Sequence, residues 1–248
     1  MKAPLRDVVF LHGWGAHALV FRGLTRSREK NFTAHLIDLP GYGDAPTCSP
    51  YTLERIADTL AAQVPARCCV VGWSLGAQVA LTWARRAPQQ VEKLALISAT
   101  PCFVQRGDWP HATERSVMRQ FALALKRDRT GVMLRFVSLQ ALGDAHAARV
   151  ALRLRNVLFA RAVAPVSVLE HGLEILRTTD LRDDLGAIRQ PTLVLHGAHD
   201  TVTPVTAGKW LARALPNARF QLLAGAAHAP FISEPGTVSR MLAEFIDE

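Results

Sequence analysis

The 248-residue chain has only four cysteines, Cys48, Cys68, Cys69 and Cys102, and no CxxC pair among them. No Cys/His spacing matches a zinc site. Cys68 and Cys69 stand side by side in an apolar run, where they read as small buried hydrophobes. Such sparing use predicts a reducing compartment, most simply the cytoplasm. No apolar run reaches the roughly 18 residues that a membrane span needs. The early run Val8–Leu11 is cut by His12 and Gly13, so it reads as a core strand rather than a leader. No GxxxxGK[ST] occurs, and Gly41-Tyr42-Gly43 lacks the third glycine and the helix context of a dinucleotide fingerprint. Repeats and low-complexity linkers are missing as well. What remains, with 49% hydrophobic and 20% charged residues, is a globular chain long enough for one large domain carrying a sizeable insertion.

Acidic residues are scarce in one place. Between Arg115 and Arg161 there are ten Lys/Arg and two acids, Asp128 and Asp144, which leaves nineteen of each sign for the rest of the chain. The whole net charge of +8 therefore sits in a 47-residue segment. This predicts a local surface for an anionic partner rather than a uniformly basic protein. No nucleic-acid-binding motif accompanies it, so nucleic acid is not expected as that partner.

Short Val/Ile/Leu-rich runs closed by Gly, Pro or Asp recur at Val8–Leu11, His35–Asp38, Cys68–Val71, Leu94–Ser98, Thr192–Leu195 and Arg219–Leu223. Helical patterns at Leu53–Gln63, Ala77–Arg86, Ala207–Leu215 and Thr237–Phe245 lie between or after them. Alternation of this kind predicts an α/β fold, a mostly parallel sheet flanked by helices. It breaks from about Cys102 to Ile188, where only helical stretches appear, around Glu114–Lys126, Val132–Leu142, Ala147–Ala162 and Val166–Arg177. The expected organisation is a core of residues 1–101 and 189–248 with a helical lid at 102–188, and the lid contains the basic segment.

Gly72-Trp73-Ser74-Leu75-Gly76 lies between the run Cys68–Val71 and the helix beginning near Ala77. A G-x-S-x-G at a strand-to-helix turn strains the serine backbone and exposes its hydroxyl, the arrangement of a nucleophile. In a chain of this composition the pattern arises by chance about 0.04 times, so Ser74 is the candidate nucleophile, with a helix N-cap as its bland alternative. Serine needs a base, and the base needs orienting. Asp200 follows the run ending at Leu195, and His228 follows the run ending at Leu223. Taken singly, Asp200 reads as a turn or N-cap residue and His228 as a loop histidine; the order Ser…Asp…His favours a triad. His196 and His199 have no third ligand at metal spacing, so neither metal nor cofactor is expected. Acyl transfer also needs oxyanion donors. The loop His12-Gly13-Trp14-Gly15 directly follows a strand, which makes the backbone N–H groups of Trp14 and Leu75 the candidates.

Together, His12-Gly13-Trp14-Gly15, Asp38-Leu39-Pro40-Gly41-Tyr42-Gly43, Gly72-Trp73-Ser74-Leu75-Gly76, Leu139-Gln140-Ala141-Leu142-Gly143, Gly172-Leu173-Glu174-Ile175-Leu176 and His228-Ala229-Pro230-Phe231-Ile232-Ser233 resemble a known family. It is that of the pimeloyl-[acyl-carrier protein] methyl ester esterases of biotin synthesis, within the α/β-hydrolase superfamily. The first three elements are common to α/β-hydrolases; the last three, with Pro101-Cys102-Phe103 and Trp109, are narrower. The resemblance implies a serine carboxylesterase, active as a monomer, that cleaves the methyl ester of pimeloyl carried on acyl carrier protein. It also implies that lid arginines grip the acidic carrier, with Arg135, Arg149, Arg153 and Arg155 as candidates; Phe136 and Trp73 read equally as walls of the acyl channel or as core residues. A generalist short-chain carboxylesterase, or a lyase or C–C hydrolase on the same scaffold, would use the same triad and stays open at this point. The chain starts almost directly on its first strand, so the N-terminal hairpin common in α/β-hydrolases is expected to be truncated.

Overall fold

The computed structural model describes residues 5–25 and 32–248. Six strands, β1 (Arg6–Leu11), β2 (Phe32–Ile37), β3 (Cys68–Trp73), β4 (Val91–Ile97), β5 (Thr192–Gly197) and β6 (Ala218–Leu223), form one sheet in the order β2-β1-β3-β4-β5-β6. Every neighbouring pair is parallel. All six runs expected from the sequence are strands here, with ends moved by at most three residues. Whatever residues 1–4 form, and so the expected truncation of the hairpin, lies outside the described residues.

Strands covered on both faces have no polar side to mark, which is why they read as unbroken apolar runs. β3 and β5 are buried at every residue, whereas β6, on the sheet edge, exposes part of its length. Flanking helices are α1 (Arg22–Thr25), α2 (Leu53–Ala61), α3 (Leu75–Arg86), α8 (Val205–Ala214), α9 (Pro230–Ser233) and α10 (Pro235–Asp247). Four more, α4 (Arg115–Arg127), α5 (Arg129–Ala141), α6 (Ala147–Leu158) and α7 (Val166–Thr178), enter between β4 and β5. In this segment α4 packs on α5 and α7, and α5 on α6. Its apolar side chains, Met133, Val137, Leu154 and Leu169 among them, join the same core as the sheet.

The loops after β1, β3, β5 and β6 all leave the carboxyl edge of the sheet. They carry Trp14, Ser74, Asp200 and His228 respectively. Parallel strands thus deliver four distant stretches of sequence to one place.

Candidate active site

Ser74 stands between β3 and α3 with φ 55° and ψ −116°. A positive φ is costly for a residue with a Cβ, and such strain persists where the surroundings enforce it. Two glycines make the turn possible. A Cβ at Gly76 would collide with the carbonyl oxygens of Leu11 and His12, and one at Gly72 would lie 2.5 Å from the Gly76 carbonyl. Ser74 occupies the N-cap position of α3, yet its hydroxyl makes no capping bond. The side chain is left for something other than closing the helix.

Asp200 and His228 meet. Nδ1 of His228 lies 3.0 and 2.9 Å from the two Asp200 carboxylate oxygens, and both side chains are buried. The carboxylate also accepts the N–H groups of Val202 and Thr203, each at 2.9 Å, and the Thr203 hydroxyl at 2.8 Å. Nε2 of His196 approaches to 3.3 Å. Burial alone would raise the Asp200 carboxyl; His228, His196 and the hydrogen bonds outweigh it and hold the group well below the usual carboxylate range. Asp200 is thus a turn residue and an orienter at once. Thr203 was not singled out from the sequence, although Asp-x-x-Thr before a proline is a recognisable local capping pattern.

On the far side of His228 the chain is tied to the nucleophile's neighbour. Trp73 Nε1 donates to the His228 carbonyl at 2.8 Å, and the two rings stand 5.6 Å apart. The other expected ligand-like residues diverge: His199 is exposed, while His196 is buried and donates to the Thr203 carbonyl at 2.8 Å. Among the described residues no group of three His, Cys, Asp or Glu is placed to hold a metal ion.

The loop after β1 packs directly on Ser74. A Cβ at Gly13 would stand 3.2 Å from the Ser74 Cβ, close enough that only glycine leaves the serine undisturbed. His12 organises this loop from beneath: Leu39 N–H donates to His12 Nε2 at 3.0 Å, so Nδ1 carries the proton and donates to the Gly13 carbonyl at 2.8 Å. Full burial drives the His12 imidazole down from 6.5 to about 4. Trp14 is fixed by its indole N–H, which donates to the Leu169 carbonyl on α7 at 2.9 Å, and by edge contacts with Phe121 and Phe136. Gly172 on α7 leaves the space that Trp14 fills, since a Cβ there would sit 2.7 Å from the indole. That accounts for the glycine that opens the Gly172–Leu176 stretch.

Trp14, Trp73, Met133, Phe136, Val137 and Leu154 surround a cavity of about 20 Å³, room for about one water molecule. Trp73 and Phe136 are therefore walls of the same space as Trp14. A larger cavity lies elsewhere: about 720 Å³, between α4 and α7, lined by Arg106, Arg115, Arg119, Lys126 and Arg177 among others. Neither cavity is lined by Ser74 or His228.

The four candidate arginines of the inserted segment separate into two kinds. Arg149 donates to the Ser233 carbonyl at 2.9 Å, and Arg153 lies over Gly23. Arg135 is exposed, with Asp128 at 3.8 Å, and Arg155 lines an open groove with Leu134 and Phe159 between α5 and α6. Both acids of the basic segment are occupied by donors: Asp128 caps α5 through the Gly131 N–H, and Asp144 is buried on three donors.

A family model for the alpha/beta hydrolase fold matches residues 8–235. Pimeloyl-[acyl-carrier protein] methyl ester esterase from Nitrosomonas europaea is 41% identical over 229 residues, covering 92% of this chain and 91% of its own length. The protein of the same name from Chromobacterium violaceum is 39% identical, over 97% and 94%. Among solved structures, an esterase from Exiguobacterium antarcticum superposes with a TM-score of 0.89 over 100% of this chain and 94% of its own, at 23% identity. A bromoperoxidase from Bacillus anthracis gives the same TM-score at 19%, so the superposition speaks for the fold alone. This chain belongs to the α/β-hydrolase fold family and, within it, to the family of pimeloyl-[acyl-carrier protein] methyl ester esterases.

Proposed function

We propose that the protein hydrolyses the methyl ester of pimeloyl carried on acyl carrier protein, in the cytoplasm, as a monomer and without cofactor or metal. The observation that carries this reading is near-full-length similarity to esterases of that name, joined to a buried Asp200–His228 pair that is tied through the His228 carbonyl to Trp73, the neighbour of a strained Ser74. His228, oriented by Asp200, takes the Ser74 proton as the hydroxyl oxygen attacks the ester carbonyl carbon. The N–H groups of Trp14 and Leu75 hold the developing oxyanion; their loops touch where Gly76 meets Leu11 and His12. Collapse of the tetrahedral intermediate breaks the bond to methoxide, which leaves as methanol with the proton from His228. A water, deprotonated by His228, then attacks the acyl-Ser74, releasing the free carboxylate and restoring the serine.

Residues 102–188 act as a lid in this reading, and its basic face receives the acidic carrier. Arg135, exposed on α5, and Arg155, which lines an apolar groove between α5 and α6, are the best placed of the four arginines.

The test compares kcat/KM on methyl pimeloyl-acyl carrier protein with that on free p-nitrophenyl butyrate, at low and high salt. A strong preference for the carrier substrate that collapses with salt is expected, because mobile ions screen exposed charge pairs. Equal, salt-insensitive rates would leave a generalist esterase. Ser74→Ala should lose several orders of magnitude on both substrates while keeping its fold; full activity in that variant would refute the triad.

A further inference from the structure

We propose that Asp144, in the turn between α5 and α6, is a positioning residue for the general base, acting through Ala227 and Ser233. The proposal rests on the reading of His228 as that base.

His228 sits on a stretch that leaves β6, the edge strand, and reaches α9 only at Pro230. The sheet supports one side of it. The other side is held by the turn of the insertion. Ala145 N–H donates to the Gly225 carbonyl at 2.8 Å, and the His228 N–H donates to the Gln140 carbonyl at 3.2 Å. Between these contacts Asp144 grips the stretch at two points. Its Oδ2 accepts the Ala227 N–H at 2.9 Å, and its Oδ1 accepts the Ser233 hydroxyl at 2.8 Å. A third bond, from the His146 N–H at 2.7 Å, fixes the carboxylate on its own turn. Arg149 closes the ring on the Ser233 carbonyl.

Asp144 is 7% exposed in a setting where an ionised group is costly, and three donors repay that cost only if each finds an acceptor lone pair. A carboxylate satisfies all three. An amide does not: in either orientation its NH2 faces the Ala227 N–H or the His146 N–H. The two residues gripped stand one before and five after His228, so loosening them shifts the imidazole along its approach to Ser74. Displacements of about 1 Å at a reacting group cost on the order of 100-fold.

The experiment uses the full-length protein and p-nitrophenyl butyrate, so that carrier docking plays no part. Labelling of wild-type Ser74 by a serine-reactive phosphonate comes first; its failure would count against the triad, not against Asp144. Asp144→Asn is then expected to lower kcat 10- to 100-fold with KM within twofold. The downfield proton resonance of the His228–Asp200 hydrogen bond should shift or broaden at temperatures where the variant is fully folded, beside a Tm lowered by about 5 °C. Ser233→Ala, which keeps the Ala227 bond, should show the same changes more weakly. Unchanged kcat in a folded Asp144→Asn would overturn the proposal, as would a loss of kcat that tracks Tm while the resonance stays put. Should Asp144→Asn not fold, Ser233→Ala decides: unaltered kcat and resonance there overturn it.

Discussion

The indole of Trp73, next to the proposed nucleophile Ser74, donates to the carbonyl oxygen of His228, the proposed base. An indole-to-carbonyl bond thus ties the Ser74 turn to the His228 stretch independently of any chemistry between them. Trp73→Phe removes the donor and leaves a buried carbonyl unpaired, at a cost of about 1–3 kcal/mol. The expected outcome is a kcat on p-nitrophenyl butyrate lowered roughly tenfold and a Tm lowered by about 5 °C. Steady-state kinetics and calorimetry on the purified variant check both.

His12 carries a pH prediction. Its imidazole titrates at about 4 when folded, against 6.5 ordinarily, so the unfolded chain binds the extra proton between those values. The stability that neutral His12 contributes is complete above pH 6.5 and is lost as pH falls through 4. The shift corresponds to about 3 kcal/mol. Urea unfolding at a series of pH values should show this decline in the wild type, and a shallower one in His12→Asn. Parallel curves would remove His12 as the cause.

Met133 closes the small cavity beside Trp14. Its methyl group lies where a side chain at residue 15 would begin, over Gly15. An unbranched thioether is an adaptable plug. Met133→Ala should enlarge the acyl space and move the best p-nitrophenyl ester toward longer chains by two or more carbons, at a stability cost of about 2–4 kcal/mol. A chain-length series measures it, and an unmoved optimum would place the acyl group elsewhere.

Two basic faces are candidates for the proposed carrier docking, one at α5–α6 and one at the large α4–α7 cavity. In the second, Glu170 lies 3.4 Å from Lys126 and Glu174 pairs with Arg177, two carboxylates against the single Asp128, 3.8 Å from Arg135, in the first. Arg135→Glu with Arg155→Glu should therefore lower kcat/KM on the carrier substrate at least tenfold at low salt. Arg115→Glu with Arg119→Glu should do less, and neither pair should alter p-nitrophenyl butyrate turnover. The reverse order would move docking to the α4–α7 side.

Much of this molecule is legible before any coordinates, and for definite reasons. Strands such as Cys68–Trp73 are buried on both faces, so composition alone reveals them. The Ser74 turn announces itself because glycines are needed on both sides of it. Helix ends are less sharp: α5 begins at Arg129 rather than Val132, because Asp128 caps the Gly131 N–H ahead of the apolar stripe. The supports of the site were hidden for another reason. Asp144 and Ala227 are 83 residues apart, and Gln140 meets His228 through its backbone carbonyl, to which side-chain identity gives no clue. His12 looks like a chemical residue and is instead a neutral strut for the Gly13 and Leu39 backbones.

The edge position of β6 bears on how this protein could be re-engineered. Helical insertions on such scaffolds invite treatment as interchangeable cassettes, to be trimmed or grafted for new specificity. Here the graft boundary cannot be drawn at the ends of residues 102–188, because the turn at 140–149 is half of the seat on which His228, the proposed base, rests. A chimera that imports foreign α4 and α7 but retains the native turn keeps its catalytic geometry. One that exchanges the whole segment trades away its histidine's footing together with its substrate preference.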